Sequence, residues 1–373
     1  MKDNSFNLNR FLFGSTKKKL ILGFLIIILL VGVVWYVDST KLFGVKEVAI
    51  QQEKVREVVL YNWEEYTDLS ILEDFEKEYG IKVRLEEYGQ AFEMTSSLYS
   101  DSSRYDIVVT DGHSITALAK ARLLAELDFD KLPNFIHINP EFKDLYFDPE
   151  NKYYIPYLFG TTGLGVNTKF VTEPITSWND LYDPKYKGKI ALLDDPREVM
   201  TVVLQSMGVS TNTRDVQVLK DAEKKANQLK ENDVILSDYF PLQQELIDGD
   251  KWIVMAYSGD LLKATQDNPE IVYILPEEGS TKWLDNYVIL AQSKNIESAH
   301  LFLNFVMRPE IAARISNSQF YASPNKDAKS MINSDILSNP IIYPSESELR
   351  NSEYILDAGE SQSEYNRIYS LIK

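Results

Sequence analysis

EVVLYNWEEYTDLSILEDFEKEYGIKVRL, residues 57–85, reads as strand, helix and strand in succession. Val58, Val59 and Leu60 form a short apolar run of the kind a buried strand carries. Asp68 or Ser70 can cap the helix that follows; Leu69, Leu72, Phe75 and Tyr79 fall on one stripe of it, and Gly80 closes it. Ile81, Val83 and Leu85 then alternate as a second strand. The rhythm continues down the chain. Residues 107–109 repeat the buried-strand signal and residues 115–124 the helical one, and Ser177 with Asp180 makes a capping box. Val216, Leu219, Ala222, Ala226 and Leu229 mark an amphipathic helix, and residues 253–256 another buried strand. Such alternation implies an α/β body with largely parallel sheets. In open α/β sheets ligands bind beyond the carboxyl ends of the strands, so the residues to inspect are those just after the apolar runs.

Aromatic and acidic residues stand together at those places. Leu60 is followed by Tyr61, Asn62, Trp63, Glu64, Glu65 and Tyr66; Leu193 by Asp194, Asp195, Pro196, Arg197 and Glu198; Met255 and Ala256 by Tyr257, Ser258, Gly259 and Asp260. Further on come Lys282, Trp283, Leu284 and Asp285. A protonated amine seeks both groups, since carboxylates accept charge-assisted hydrogen bonds while indole and phenol faces attract cations and pack methylenes. Any one of these stretches alone is ordinary. Trp178 and Trp252 read as core, Glu198 has Arg197 beside it, and Glu64 with Glu65 makes a plain charged surface. The repetition points to a site for a flexible, multiply charged cation.

Charge is unevenly spread over the 373 residues, whose formal net charge is −17. Residues 1–19 hold a balance of +4 and residues 20–56 one of +1, so −22 falls on residue 57 onward. That argues against a nucleic-acid partner, which needs a basic face. The absence of cysteine excludes disulfides, thiolate metal sites, thiol nucleophiles and a lipidated N-terminal cysteine. Residues 20–37, LILGFLIIILLVGVVWYV, carry no charge and match the length that crosses a hydrocarbon core. With basic residues before them, they are expected to form an uncleaved transmembrane anchor: residues 1–19 a cytoplasmic tail, 38–56 a tether, and the acidic body outside. The alternative is a cleaved signal peptide, which would leave the body periplasmic or secreted.

From 59 to 359 the chain resembles the polyamine-binding (spermidine/putrescine) proteins of bacterial ABC importers. The markers are YNWEEY at 61–66, IPYLFGTTGLGVN at 155–167, TSWNDLYDPKYKGKI at 176–190, DDPREVM at 194–200, WLD at 283–285 and YASPN at 321–325. The resemblance implies a two-lobed periplasmic-binding-protein-like α/β fold with a hinge and an interlobe cleft. Lobe 1 would take about 57–161 and 284–330, and lobe 2 about 162–283 and 331–373. It also implies site roles: Trp63 and Tyr66 as aromatic walls, Glu65 as an acid at one end, Asp195 and Glu198 as acids of the second lobe, Tyr257 where tryptophan is usual, Trp283 as the stacking indole, Asp285 as the carboxylate fixing an amine, and Tyr321 in the cleft. His113 stands where tyrosine is usual, Ile355 where glutamine is found, and Glu64 in place of a smaller polar residue.

The implied function is an extracytoplasmic receptor that captures a polyamine and delivers it to ABC permease subunits driven by a separate ATPase. No phosphate-binding loop pattern occurs in this chain. No catalytic role, cofactor or metal is implied. Two rivals fit the acids taken alone. One is a receptor of the same fold for a metal or a sugar, with Tyr153 and Tyr154, or Asp194, Asp195 and Glu198, as hard oxygen ligands for the metal. The other is a glycosidase with paired carboxylates. His113, His137 and His300 show no ligand spacing.

Overall fold

Val58, Val59, Leu60 and Tyr61 are buried in the middle of strand β1, Arg56–Trp63, and the chain turns from it into helix α1, Leu69–Tyr79, and strand β2, Ile81–Tyr88. The computed structural model describes residues 28, 29, 31, 32 and 56–373, without the side chains of 239 and 240. The expected anchor at 20–37, the tail at 1–19 and the tether at 38–56 lie outside the described residues except at those four positions and Arg56. Among the described residues no helix is long and apolar enough to cross a membrane. Asp68 caps α1 by accepting from the Ser70 amide at 3.0 Å, and Gly80 ends it at φ 62°, a conformation open to glycine without a Cβ penalty. Ile71, Leu72 and Phe75 are buried, whereas Leu69, expected on the stripe, is 60% exposed. At about 100° per residue, Leu69 sits roughly 100° round the helix from the centre of the face made by Ile71, Leu72, Phe75 and Tyr79.

Helix α2, Ala91–Asp101, leads to strand β3, Ile107–Asp111, and helix α3, Gly112–Lys120. The helical signal extended to residue 124, but α3 stops at Lys120 and Leu124 forms a bridge with Leu290. Strand β4, Tyr154–Asn167, is followed by β5, Ile190–Leu193; α4, Pro196–Gln205; α5, Val216–Glu231; β6, Ile235–Ser237; and α6, Tyr239–Asp248. Next come β7, Ile253–Tyr257; α7, Ser258–Asp267; β8, Ile271–Ile274; β9, Lys282–Ile289; α8, Ile296–Val306; and α9, Pro309–Gln319. The Ser177 and Asp180 capping box is formed, and Trp178 behind it is fully buried with its indole N–H donating to the Gly279 carbonyl at 2.7 Å.

The strands run in the order β2-β1-β3-β9-β4-β7-β5-β6, with β8 on β4. The expectation of largely parallel sheets needs correction. β1 pairs in parallel with β2 and β3, and β5 with β6 and β7, but every pairing of β4 and β9 among the described residues is antiparallel. Parallel pairing belongs to the strand–helix–strand units on either side; β4 and β9 are long strands that run between them without a crossover helix. β4 pairs with β9 from Tyr154 to Thr161, then with β7 from Thr162 and with β8 from Leu164. One apolar core gathers residues from β1 to the start of β4, with β9, α8 and Tyr321; a second gathers the end of β4 through β8 with the C-terminal helix Gln362–Ile372. Ile332, Ile336 and Ile342, assigned from sequence to the second lobe, pack instead with Ala312, Ala313 and Ala322.

Replacing the fully buried Phe75 by alanine is expected to lower the unfolding free energy by about 3–5 kcal/mol. Leu69→Ala, on the exposed side of the same helix, is expected to change it by less than about 0.5 kcal/mol. Chemical denaturation followed by circular dichroism separates the two.

Candidate functional site

β4 passes from one core to the other at Thr161 and Thr162, and the aromatic side chains expected in the site gather round that passage. Their rings form a continuous row. Tyr66 meets Tyr157 at 5.2 Å and Tyr321 at 5.6 Å; Tyr321 meets Trp283 at 5.1 Å; Trp283 meets Tyr257 at 5.9 Å, each edge to face. That arrangement suits the ring quadrupoles and holds each ring in place. Gly160 permits it, because a Cβ there would come within 2.6 Å of the Trp283 ring. Trp63, at the end of β1, packs on Tyr88 at 4.4 Å. The indole N–H groups of Trp63 and Trp283 are buried without a hydrogen-bond partner among the described residues.

The acids arrive from four separate elements. Asp195 caps α4, accepting from the amides of Arg197 at 2.7 Å and Glu198 at 3.0 Å. Glu198, one turn into the helix, is buried between two hydroxyls, with Thr162 at 2.9 Å and Thr281 at 2.8 Å. Asp285 lies on β9 beside the Tyr66 hydroxyl, which has no other partner among the described residues. Asp260, in the first turn of α7, accepts from the Tyr321 hydroxyl. All four bear on one group: burial first, then Glu198, Asp195, Asp285 and Asp260, hold the Tyr257 phenol well above its ordinary range. Burial, with the neighbouring Asp195, pushes the Glu198 carboxyl up to about 7, and burial with Asp111 pushes Asp285 up to about 8. Burial also raises Asp195. Carboxyls lifted in this way signal negative charge that the protein has gathered without matching it.

Arg197 offsets part of it through its charge but pairs directly with neither Asp195 nor Glu198. Its guanidinium donates to the Leu356 carbonyl at 2.8 Å and to Asn212 Oδ1 at 3.1 Å, and lies on the Tyr365 ring at 4.6 Å, so the pairing of Arg197 with Glu198 that sequence adjacency allows is not made. Three expected site residues stand apart from the row. Glu64 and Glu65 are exposed; Glu65 adopts φ 55° in the turn after β1, and its amide donates to Glu87 Oε1 at 3.1 Å. A non-glycine residue there carries about 1–2 kcal/mol of strain, held by the bonds of the Glu64 amide to the Tyr88 carbonyl and the Tyr66 amide to the Trp63 carbonyl. His113, half-buried on α3, has Nδ1 3.9 Å from Asp111 Oδ1. Ile355 contributes its carbonyl to the Tyr146 hydroxyl at 3.0 Å.

Several participants were not singled out from sequence. Asp111 follows the apolar run at 107–109, the same place in which acids follow the other strands, so it carries the same local signal. Thr162, Thr281 and Tyr88 carry no local signal; Asp260, already quoted in the stretch after the strand at 253–256, is placed by the Tyr321 hydroxyl. Asp194, adjacent to Asp195, is turned away: it accepts from the Tyr369 hydroxyl and pairs with Lys373 at 2.9 Å. Tyr154 is fully buried, its hydroxyl donating to the Phe142 carbonyl at 3.0 Å.

Residues 70–342 match the family described as bacterial extracellular solute-binding proteins. A spermidine/putrescine-binding periplasmic protein of Escherichia coli is 33% identical over 316 residues, covering 84% of this chain and 90% of that protein. A putrescine-binding periplasmic protein of the same organism is 30% identical over 308 residues, covering 76% and 82%. Among solved structures, a putative spermidine/putrescine ABC transporter protein from Listeria monocytogenes superposes with a TM-score of 0.79 at 34% identity, covering 85% of this chain and 98% of that one. The substrate-binding protein of a spermidine/putrescine ABC transporter from Streptococcus pneumoniae does so at 0.75 and 30%, covering 85% and 100%.

The raised carboxyls set a direction for pH dependence. Between the ordinary value of 4.5 and about 7 for Glu198, the folded chain keeps a proton that the unfolded chain has released. Its contribution to stability is therefore greatest at the acid end of that window and falls as pH rises. Without ligand, the thermal midpoint of the wild type is expected to drop relative to that of Glu198→Gln between about pH 5 and about pH 8. A difference that stays flat or grows in favour of the wild type contradicts the assignment.

Proposed function

The chain belongs to the bacterial extracellular solute-binding proteins, and from that premise we propose that it is the receptor of an ABC importer for polyamines, holding the cation between its two halves. The observation that supports this most directly is the convergence of Glu198, Asp195, Asp285 and Asp260 on Tyr257 at the end of a row of aromatic rings. A chain of methylenes carrying ammonium groups answers both features. Its charges replace the protons that burial otherwise retains on the acids, and its methylenes lie along Tyr66, Tyr257, Trp283 and Tyr321, with Trp63 as a further wall. Glu198 and Asp195 receive one ammonium group and Asp285 another. Glu64, Glu65 and His113 stand at the edge, where they steer and screen more than they bind.

In this reading the two lobes, each built round one of the two large apolar cores, close over the ligand as a hinge on the crossing strands. Ligand favours the closed state because only there do acids from both lobes reach it. The closed form delivers the polyamine to permease subunits powered by a separate ATPase. No catalytic step is assigned to the acids. A hard-metal site would draw on Asp194, Asp195 and Glu198 together, and Asp194 is engaged by Tyr369 and Lys373, which favours an amine.

We further propose that residues 20–37 anchor the receptor, with 1–19 in the cytoplasm and 38–56 as the tether. A tethered receptor stays near its transporter at high effective concentration. Expressed in a bacterial host, the full chain is expected in the membrane fraction and a chain lacking residues 1–37 in the soluble fraction; equal solubility of the two would remove the anchor.

Removing one acid leaves an ammonium group unpaired in a desolvated site, which costs about 2–5 kcal/mol and so weakens binding roughly 30-fold or more. Calorimetry with spermidine and putrescine on Asp285→Asn and Glu198→Gln is expected to show that loss in both variants. Affinities equal to the wild type in both would sink the polyamine assignment, and thermal stabilisation by metal ions without a polyamine effect would favour the metal receptor.

A further inference from the structure

Asp111 ends β3 directly opposite Asp285 of β9 in the antiparallel register. Opposed residues in such a ladder place their side chains on the same face, with Cβ atoms about 5 Å apart. Among the described residues no lysine or arginine lies within ion-pair distance of either carboxylate, and the nearest ionisable nitrogen is His113 Nδ1, 3.9 Å from Asp111 Oδ1. Asp111 is nevertheless held in place, Oδ1 accepting from the Ser114 amide at 2.8 Å and Oδ2 from the Ser114 hydroxyl at 2.9 Å. Each oxygen retains a second acceptor direction. The pair thus presents two carboxylates without a lysine or arginine partner among the described residues, and Asp111 also bears on Asp195.

The charge they add can be counted. Asp111, Asp195, Glu198 and Asp285 supply four negative charges when ionised; the buried Arg197, which acts on both Asp195 and Glu198, returns one. Asp260 has its own cation, Lys263, at 3.6 Å. Three negative charges remain, so a bound diamine leaves one unmatched and a triamine leaves none. Without Asp111 the remainder would be two, the charge of a diamine. Resting on the polyamine reading, we propose that Asp111 is a specificity-determining residue: with Asp285 it forms a paired-carboxylate end that takes an additional ammonium group and makes a triamine preferred over a diamine. The influence of Asp111 on the Asp285 carboxyl, second only to burial, agrees with this, since two close carboxylates ionise together only when a cation joins them.

The test is calorimetry of the full chain with spermidine and putrescine, wild type against Asp111→Asn, Asp111→Ser and Asp111→Glu. Asn and Ser keep the cap on α3, so the variants retain a fold that thermal unfolding verifies. The ratio of putrescine to spermidine dissociation constants is expected to fall about tenfold or more in Asp111→Asn and Asp111→Ser, chiefly through weaker spermidine binding, and to stay close to the wild type in Asp111→Glu. A ratio unchanged in Asn and Ser, with both amines still bound, overturns this role for Asp111 and leaves the receptor reading standing. A wild type that binds neither amine overturns the receptor reading, and this inference with it.

Discussion

The antiparallel ladder of β4 on β9, from Tyr154 opposite Val288 to Thr161 opposite Lys282, is what the rest of the structure depends on. It seats Asp285 and Trp283 beside the passage of β4 between cores, and from Thr162 the same strand carries the register on to Tyr257 of β7. Backbone hydrogen bonds fix these positions to within a residue, since a slip of one would turn every side chain to the other face. Thr162 and Thr281, one on β4 and one just before β9, then supply the two hydroxyls that hold Glu198. A site assembled on ladder positions and one helix turn is better placed than one carried on free loops.

The electrostatic consequence follows from the same geometry. Asp195 and Glu198 enter at the start of α4, where the helix amides and dipole favour negative charge. Yet burial raises both carboxyls, because the two amide bonds to Asp195 and the two hydroxyls on Glu198 do not offset the loss of water and the proximity of another acid. An acid paired with a cation behaves in the opposite way: the Glu78 carboxyl, paired with Arg308, is held below its ordinary range. The contrast separates an acid matched by a cation from acids gathered without one.

Much of the fold was legible locally. Asp68, Gly80 and the Ser177 and Asp180 box are read within one helical turn of themselves, and each has its expected role. Leu69 and the end of α3 show the limit of a periodicity count, since which side of a helix is buried depends on the sheet it meets. The largely parallel sheets were overestimated for a related reason. A buried strand is apolar whether its neighbours run with it or against it, so the apolar residues of β4 and β9, among them Leu158, Leu164, Val166, Val288 and Ile289, carry no sign of direction.

Residue types and local patterning alone determined an acidic α/β body, the places where aromatics and carboxylates follow strands, and the cationic character of what they would bind. These follow from composition and from signals that act over a few residues. Only the tertiary structure decided which of those groups meet. It brought Asp111 opposite Asp285 and Asp260 under Tyr321, left Glu64 and Glu65 in solvent, and turned Asp194 away from its neighbour Asp195 toward Lys373. The reason is physical: strand order and register join residues far apart in the chain, and burial, which sets the protonation of each acid, exists only once both cores have formed around them.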